Sequence, residues 1–190
     1  SEIDFSVEKS NADFSIRYAL SAVRNVGVQA MTSLVNERNS NGIFLSLSDF
    51  SSRMDPKVIN RRQLENLARA GGFDSLHDNR AEVIANIEII LRHASSASQE
   101  REDGQVSLFG KNTVIAESSF KLNETKALKS AEILRHERES LGLYLSSHPM
   151  EAYKDILSNK KITPLFNVSE KITNGVSSLL LAGTVDRKQE

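Results

Sequence analysis

The chain of 190 residues contains no cysteine. It can therefore hold neither a disulfide framework nor a thiolate metal site, and it fits a reducing compartment. No apolar run approaches the roughly 18 to 20 residues that cross a bilayer, so we expect no membrane partner. The formal net charge is only -1. Bulk charge therefore favours neither nucleic acid nor a membrane surface as a partner.

Familiar catalytic patterns are also missing. The sequence has no phosphate-binding loop with Gly-Lys-Ser/Thr and no serine-hydrolase motif. Its acidic residues are scattered, without the close aspartate pair on a strand that a two-metal site needs. The four histidines lie too far apart for metal-ligand spacing: His77, His93, His136 and His148. We therefore expect no catalytic residue, metal site or cofactor in this chain.

The hydrophobic content of 39% is enough for one or two small cores. Apolar residues recur mainly at helical spacing, which predicts a mainly α fold, a helical bundle with a mobile linker and a C-terminal β-strand. The expected segments are a disordered N-terminus (1–13), a helical region (14–92), a linker (93–122), a helical connector (123–158) and a second linker that includes the strand (159–190).

Local signals predict helix boundaries in the first half of the chain. Helical spacing from Phe14 to about Arg38 is broken at Asn25-Val26-Gly27, which predicts two helices joined by a tight turn. Further helix starts are expected at three places: Ser46, Asp55-Pro56 and Asp78-Asn79. Gly71-Gly72 is typical of a helix end.

The second half alternates polar and apolar stretches. Residues 94–104 have no apolar anchor, which predicts a solvated linker. A helix is expected over about 123–144, with Glu137-Arg138-Glu139 as surface charge. Leu179–Val185 is predicted to form a strand. That abrupt end and the initial serine in place of methionine suggest a piece of a longer chain.

The turn near residue 25 is the first candidate site. The pattern Leu20-x-x-Val23-x-Asn25-Val26-Gly27-x-x-Ala30 resembles a helix-hairpin-helix, in which small residues form a turn between two short helices. Unpaired N–H groups at the start of the second helix suit a DNA phosphate. Asn replaces the usual first glycine, and it tolerates the left-handed conformation. The candidate DNA contacts are Arg24, Asn25, Val26, Gly27 and Gln29. The alternative is an ordinary helical corner packed for stability.

Arg61 and Arg62 are a second candidate site. They are expected on a helix that faces the turn. They can act as a phosphate clamp, or they can be part of a solvated charged face. The residues alone leave both interpretations open.

An isolated apolar peptide follows the predicted linker. It consists of Gln105, Val106, Ser107, Leu108 and Phe109. A glutamine amide can anchor an extended peptide with a donor and an acceptor, and adjacent Leu and Phe can fill an apolar pocket on a partner. The pattern resembles the clamp-binding peptides of bacterial replication proteins. A short strand packed against its own chain is the alternative.

Two longer runs carry a family resemblance. They are NRRQLENLARAGGFDSL, from Asn60 to Leu76, and ERESLGLYLSSHP, from Glu137 to Pro149. Together with the turn and the Gln105–Phe109 peptide, in this order, they resemble the alpha subunit of bacterial DNA polymerase III, the C-family replicative polymerase. The resemblance covers nearly all of the chain, from about residue 16 to residue 185.

The resemblance implies an assignment for each segment. Residues 16–92 would be the end of the fingers with a tandem helix-hairpin-helix region, 105–109 the clamp-binding motif, and 179–185 the first strand of a truncated oligonucleotide-binding (OB) domain. The polymerase palm, with its metal-binding aspartates, would lie upstream of Ser1. The parent would then be a DNA-directed DNA polymerase that needs Mg2+, whereas this piece would need no cofactor and would have no activity.

The resemblance also implies partners and a location. The partners would be duplex DNA, contacted without sequence specificity, the bacterial sliding clamp (beta subunit) and other subunits of the polymerase III holoenzyme. The location would be the cytoplasm. Two alternatives stay open: a purely structural or protein-interaction scaffold without DNA contact, and a stand-alone enzyme.

Overall fold

The computed structural model describes residues 1–10, 13–102, 120–185 and 188–189. The chain divides into two compact units, Ser1–Leu143 and Tyr144–Glu190. The prediction of a mainly α fold is confirmed. In the first unit the described residues form helices α1 (Val28–Asn41), α2 (Leu47–Arg53), α3 (Arg61–Arg69), α4 (Arg80–Ala85), α5 (Ile87–Glu102) and α6 (Ser130–Leu141).

The core of the first unit lies between α1, α2, α3 and α5. The largest fully buried apolar side chains are Met31, Met54, Ile59, Leu64 and Ile90. Aromatic rings extend this core, because Phe50 packs edge-to-face on Phe44 and on Phe73, with centroids 5.3 and 5.0 Å apart. Burial of these side chains supplies most of the drive for folding. The α1 and α3 helices therefore share one hydrophobic core.

Several predicted helix boundaries are confirmed. Ser46 caps α2 by accepting a hydrogen bond from the N–H of Asp49 at 3.1 Å. Asn79 caps α4 by accepting from the N–H groups of Ala81 and Glu82. The α3 helix ends in a Schellman motif, in which the N–H of Gly72 donates to the carbonyl of Leu67 at 2.8 Å. These ends are fixed by hydrogen bonds between neighbours in sequence, which explains why local signals found them.

The helix start predicted at Asp55-Pro56 is wrong. Asp55 instead closes a turn, with its carboxylate accepting from the N–H of Lys57 at 2.8 Å. The helix begins five residues later, where Asn60 and Gln63 form a capping box. The capping box satisfies two N–H groups reciprocally. It also lets Ile59, just before the cap, enter the core.

The N-terminal segment corrects two further predictions, a disordered stretch over 1–13 and a helix from Phe14. The chain forms an antiparallel hairpin of β1 (Ser6–Ser10) and β2 (Asp13–Arg17), with Val7 opposite Ile16. The residues from 13 to 17 alternate polar and apolar, which is the period of a strand. The first helix of the predicted pair is reduced to a 3-10 turn at Leu20–Ala22.

The linker predicted from residue 93 begins later than expected, because α5 continues to Glu102. Ala94 is fully buried against the core, and the Nζ of Lys57 donates to the Oε1 of Glu102 at 2.6 Å. The helix predicted over 123–144 is shorter, and it ends at Gly142 in the left-handed conformation with φ 81°. Alanine and serine fit a helix without an apolar stripe, so composition alone misplaced the boundary of α5.

In the second unit the described residues form α7 (Lys154–Asn159), α8 (Val168–Thr173) and 3-10 turns at Glu151–Tyr153 and Leu165–Asn167. The strand predicted at Leu179–Val185 is wrong, since these residues lie outside any ladder. A strand needs a hydrogen-bonded neighbour along its length. Among the described residues, the backbone hydrogen bond to this segment runs from the N–H of Thr163 to the carbonyl of Leu180 at 2.8 Å. Across the described ranges, no helix combines the length and apolar character that spanning a membrane requires.

Candidate nucleic-acid interface

The predicted turn lies at the entry to α1. Asn25 has φ 59°, the left-handed conformation that its side chain tolerates, as expected. Val26 is buried, so it can offer a ligand only its backbone. Asn25, Gly27 and Gln29 are exposed. The turn therefore presents a polar, small-residue surface to solvent, with an apolar anchor underneath.

The N-terminus of α1 is open. Gly27 is the N-cap residue, and within the described part of the chain no side chain caps this end. The first helical turn also contains no acidic residue. The early N–H groups of a helix lack intrahelical acceptors, and the helix dipole adds partial positive charge at this end. Such a terminus suits a phosphate oxygen.

The start of α3 lies against the same turn. A methyl group built on Gly27 would lie 3.1 Å from Nε2 of Gln63. Arg61 and Arg62 are both exposed in the first turn of α3. The structure therefore brings the two predicted sites together. Asn60 already caps the N–H groups of α3, so this helix can offer side chains to a ligand while α1 offers backbone donors.

The two arginines of α3 differ in their contacts. The Nη1 of Arg61 donates to the Oε1 of Glu88 at 2.6 Å, and both side chains are more than half exposed. An exposed pair of this kind contributes little stability, so a phosphate can replace the carboxylate. The guanidinium of Arg62 has no hydrogen-bond partner among the residues that the structure describes.

Arg24 has a different environment from the one expected. Its N–H donates to the carbonyl of Ser140 at 2.8 Å, and its Nη1 donates to the carbonyl of Glu139 at 3.2 Å. Both acceptors belong to the last turn of α6, where the helix dipole is negative. The hydroxyl of Tyr18 donates to the carbonyl of Leu141 at 3.0 Å. The turn is thus fastened to the C-terminus of α6.

A buried ion pair joins α6 to α4, and it corrects the assignment of Glu137 to surface charge. The side chain of Glu137 is fully buried, and its Oε1 accepts from Nη1 of Arg80 at 3.2 Å. Arg80 also contacts the carboxylate of Asp74 at 2.6 Å. Glu137 lies 57 residues from Arg80 in the sequence, so helical spacing gave no sign of this ion pair.

Asn79 and Asn86 hold the chain after residue 120, through contacts that the sequence analysis did not predict. The Nδ2 of Asn86 donates to the carbonyl of Asn123 at 2.9 Å, and its Oδ1 accepts from the N–H of Asn123 at 2.8 Å. The Nδ2 of Asn79 donates to the carbonyl of Thr125 at 2.7 Å. These bonds satisfy backbone groups that would otherwise lack partners. The segment 123–125 is thereby fixed to α4 and α5.

The predicted clamp-binding residues Gln105, Val106, Ser107, Leu108 and Phe109 lie outside the described residues. The residues on either side of this peptide contact the first unit. The α5 helix ends at Glu102, and Phe120 packs on His93 with ring centroids 5.0 Å apart.

The described residues contain no group of three or more His, Asp or Glu side chains arranged to hold a metal ion.

Comparison with known proteins gives a consistent result. A family model described as a helix-hairpin-helix motif matches residues 1–83, which include the turn, α1 and α3. The DNA polymerase III subunit alpha of Caulobacter vibrioides is 36% identical over 189 residues, covering 97% of this chain and 16% of that protein. The subunit of Rickettsia prowazekii is 34% identical, covering 92% and 14%, and that of Thermus aquaticus 35% identical, covering 95% and 15%. The chain therefore belongs to the DNA polymerase III alpha subunit family, and it spans 14 to 16% of the length of these curated relatives.

Proposed function

We propose that this chain contacts the phosphate backbone of duplex DNA, without sequence specificity, as part of a replicative DNA polymerase. The observation that carries this proposal is the open N-terminus of α1 at Gly27, inside the segment that matches a helix-hairpin-helix motif. The relatives named above are DNA polymerase subunits, and duplex DNA is the substrate such proteins handle.

The contact surface consists of the turn and the first turns of two helices. The open backbone N–H groups of α1 donate to one phosphate group. Arg61 and Arg62 of α3 neutralise a neighbouring phosphate, after Arg61 exchanges Glu88 for it. Contacts of this type fix the position of a protein on DNA and carry no base information. Because this surface has few cations, it contributes to a larger DNA-binding surface and does not bind DNA tightly by itself.

A second proposed role is docking to the bacterial sliding clamp through Gln105–Phe109. Seventeen residues, 103–119, separate the end of α5 from Phe120. Both ends of this segment are attached to the same helical unit, through α5 and through the asparagine contacts at 123–125. The peptide is therefore joined at both ends to the unit that contains the proposed DNA surface. Clamp docking beside a DNA contact would keep a polymerase on its template.

Polymerisation itself is proposed to belong to other parts of the alpha subunit. The described residues offer no metal site, and the chain matches 16% or less of each relative named above. We expect no nucleotide incorporation by this chain on a primed template with Mg2+, while other subunits of the holoenzyme are proposed as further partners.

A scaffold role without DNA contact is the second candidate function. It is favoured by the engagement of Arg24 with α6 and of Arg61 with Glu88, since both cations then serve the fold.

Measurement of duplex affinity against salt concentration separates the two functions. Phosphate contacts give a linear fall of log K with log salt, with a slope of about -0.9 for each phosphate neutralised. Arg61→Ala/Arg62→Ala should flatten this slope by about one to two units and weaken binding at low salt. Lys154→Ala/Lys160→Ala, a matched loss of two cations in the second unit, should leave the slope nearer the wild-type value. A chain that shows no salt-dependent binding at all would support the scaffold.

A further inference from the structure

The side-chain amide of Gln63 has a fixed orientation. Its Oε1 accepts a hydrogen bond from the backbone N–H of Asn60 at 2.8 Å, as part of the α3 capping box. A backbone N–H can only donate, so the atom facing it must be the oxygen. The hydrogen-bond network therefore settles the choice between the two amide orientations. The NH2 group must point the other way.

That NH2 group points at the entry to α1. It lies 3.1 Å from where a methyl group on Gly27 would stand. This position is where the side chain of an ordinary N-cap residue begins, and a Ser or Asp there would accept from the helix N–H groups. Here the space next to Gly27 contains a donor instead. No acceptor for the NH2 of Gln63 lies within the described residues.

The result is a cluster of donors without an acceptor. The open N–H groups of α1 and the NH2 of Gln63 all donate, and the first turn of α1 contains no carboxylate. We infer that Gln63 is a phosphate-binding residue, whose NH2 donates to the same backbone phosphate as the N–H groups of α1. This inference rests on the proposed DNA contact and assigns a residue to it.

The inference makes the neutral amide essential at position 63. Gln63→Glu keeps an oxygen for the N–H of Asn60, and a carboxylate in the first turn of α3 also suits the helix dipole. The fold should therefore be as stable as wild type. The second carboxylate oxygen, however, faces Gly27, where it occupies the open end of α1 and repels a phosphate.

The experiment compares duplex binding by the full chain carrying Gln63→Glu with wild type, using a fluorescent duplex of mixed sequence. We expect at least about ten-fold weaker binding at low salt, as for loss of a hydrogen bond to a charged group, and an unchanged thermal midpoint. Gln99→Glu is the matched control, since it makes the same charge change at an exposed position of α5 and should alter binding much less.

The outcomes separate this inference from the proposed function. If wild type binds with a salt slope that depends on Arg61 and Arg62, while Gln63→Glu binds as well as Gln99→Glu, the inference is overturned and the DNA contact stands. If wild type itself does not bind the duplex, both fail. A lowered thermal midpoint in Gln63→Glu is checked with Gln63→Met, which removes both the cap and the NH2 donor without adding charge. The inference expects weaker binding per folded molecule in Gln63→Met as well, with a smaller loss than in Gln63→Glu. If Gln63→Met binds the duplex as well as wild type per folded molecule, the NH2 group does not hold the phosphate and the inference is overturned.

Discussion

Single side chains decide whether the N–H groups at the start of α1 and of α3 remain available to a ligand. Asn60 closes the N-terminus of α3, whereas Gly27 leaves that of α1 open. Arg24 donates hydrogen bonds to carbonyl groups of α6, and these contacts stabilise the fold. The proposed DNA contact therefore centres on Gly27 and its neighbour Gln63, whose NH2 group has no acceptor among the described residues.

At this scale the structure also contains a titratable contact. The Nδ1 of His93 lies 2.7 Å from the Oγ of Ser51, which is fully buried and donates to the carbonyl of Ser48. The hydroxyl has one proton, so it accepts from His93. Burial lowers the pKa of the His93 imidazole below its usual value of 6.5.

Stability should consequently decline in acid. Since the folded pKa of His93 is depressed, the unfolded chain takes up the proton at higher pH than the folded chain. The free energy of unfolding should be highest above pH 6.5 and should fall as pH drops below that value. Urea titrations across this range measure it. His93→Gln should flatten the dependence, leaving a remainder from His136, whose pKa is also lowered, first by burial. A wild-type curve that stays flat would contradict the assignment.

Sequence reasoning succeeded for residues whose partners are close in the chain. Asn25, Ser46 and Asn79 act within three residues of themselves, and their roles follow from backbone preference and capping. It missed the contacts that Glu137 and Arg24 make within the fold, because their partners are 57 and 115 residues away. No local pattern indicates such a contact, because charge in a helix is usually a solvated face.

At the scale of elements, α6 braces the proposed DNA surface. Its last carbonyl groups accept from the backbone and side chain of Arg24, two residues before the buried Val26. Gly142 closes the helix at φ 81°, and a methyl group there would lie 3.2 Å from Nη2 of Arg24. The turn therefore depends on how α6 ends.

Gly142→Ala should loosen this brace. The left-handed conformation costs a non-glycine residue about 1 kcal/mol, and the methyl group also crowds Arg24. We expect lower thermal stability together with weaker duplex binding per folded molecule. Gly175→Ala is the control, since Gly175 follows a helix end with φ 82° and has nothing within 4 Å of the added group. Equal loss of binding in both variants would show that α6 does not support the turn.

The errors in the elements have different causes. The β2 strand of the hairpin carries a period-2 alternation that the sequence analysis overlooked, and it is exposed along its whole length. The length of α5 depends instead on tertiary packing, because Ala94 is buried although the surrounding residues are polar. The start of α4 was predicted because its cap residue Asn79 directly precedes apolar residues at helical spacing.

For the whole molecule, the arrangement places a proposed clamp peptide and a proposed DNA surface on one helical unit. The second unit differs, because its large apolar side chains Leu165 and Phe166 are about four-fifths exposed. Among the described residues, the cluster of buried hydrophobic side chains lies within the first unit.

Leu108→Ala/Phe109→Ala should abolish binding of the full chain to a bacterial sliding clamp. Truncating buried anchors of this type costs on the order of 2 kcal/mol or more each. Leu165→Ala/Phe166→Ala removes the same two residue types from an exposed 3-10 turn and is the matched control. Titration by calorimetry measures both. Retained affinity in the first variant would contradict clamp docking.

The most direct test of the proposed DNA contact is to map it by NMR, recording amide spectra of the 21.1 kDa chain during titration with duplex DNA. The backbone signals of Gly27, Val28 and Gln29 and the side-chain NH2 signal of Gln63 should shift together, with one common affinity that weakens as salt is added. If these signals do not move, or if the shifts are confined to α7 and α8, DNA contact through the turn at Asn25–Gly27 is contradicted.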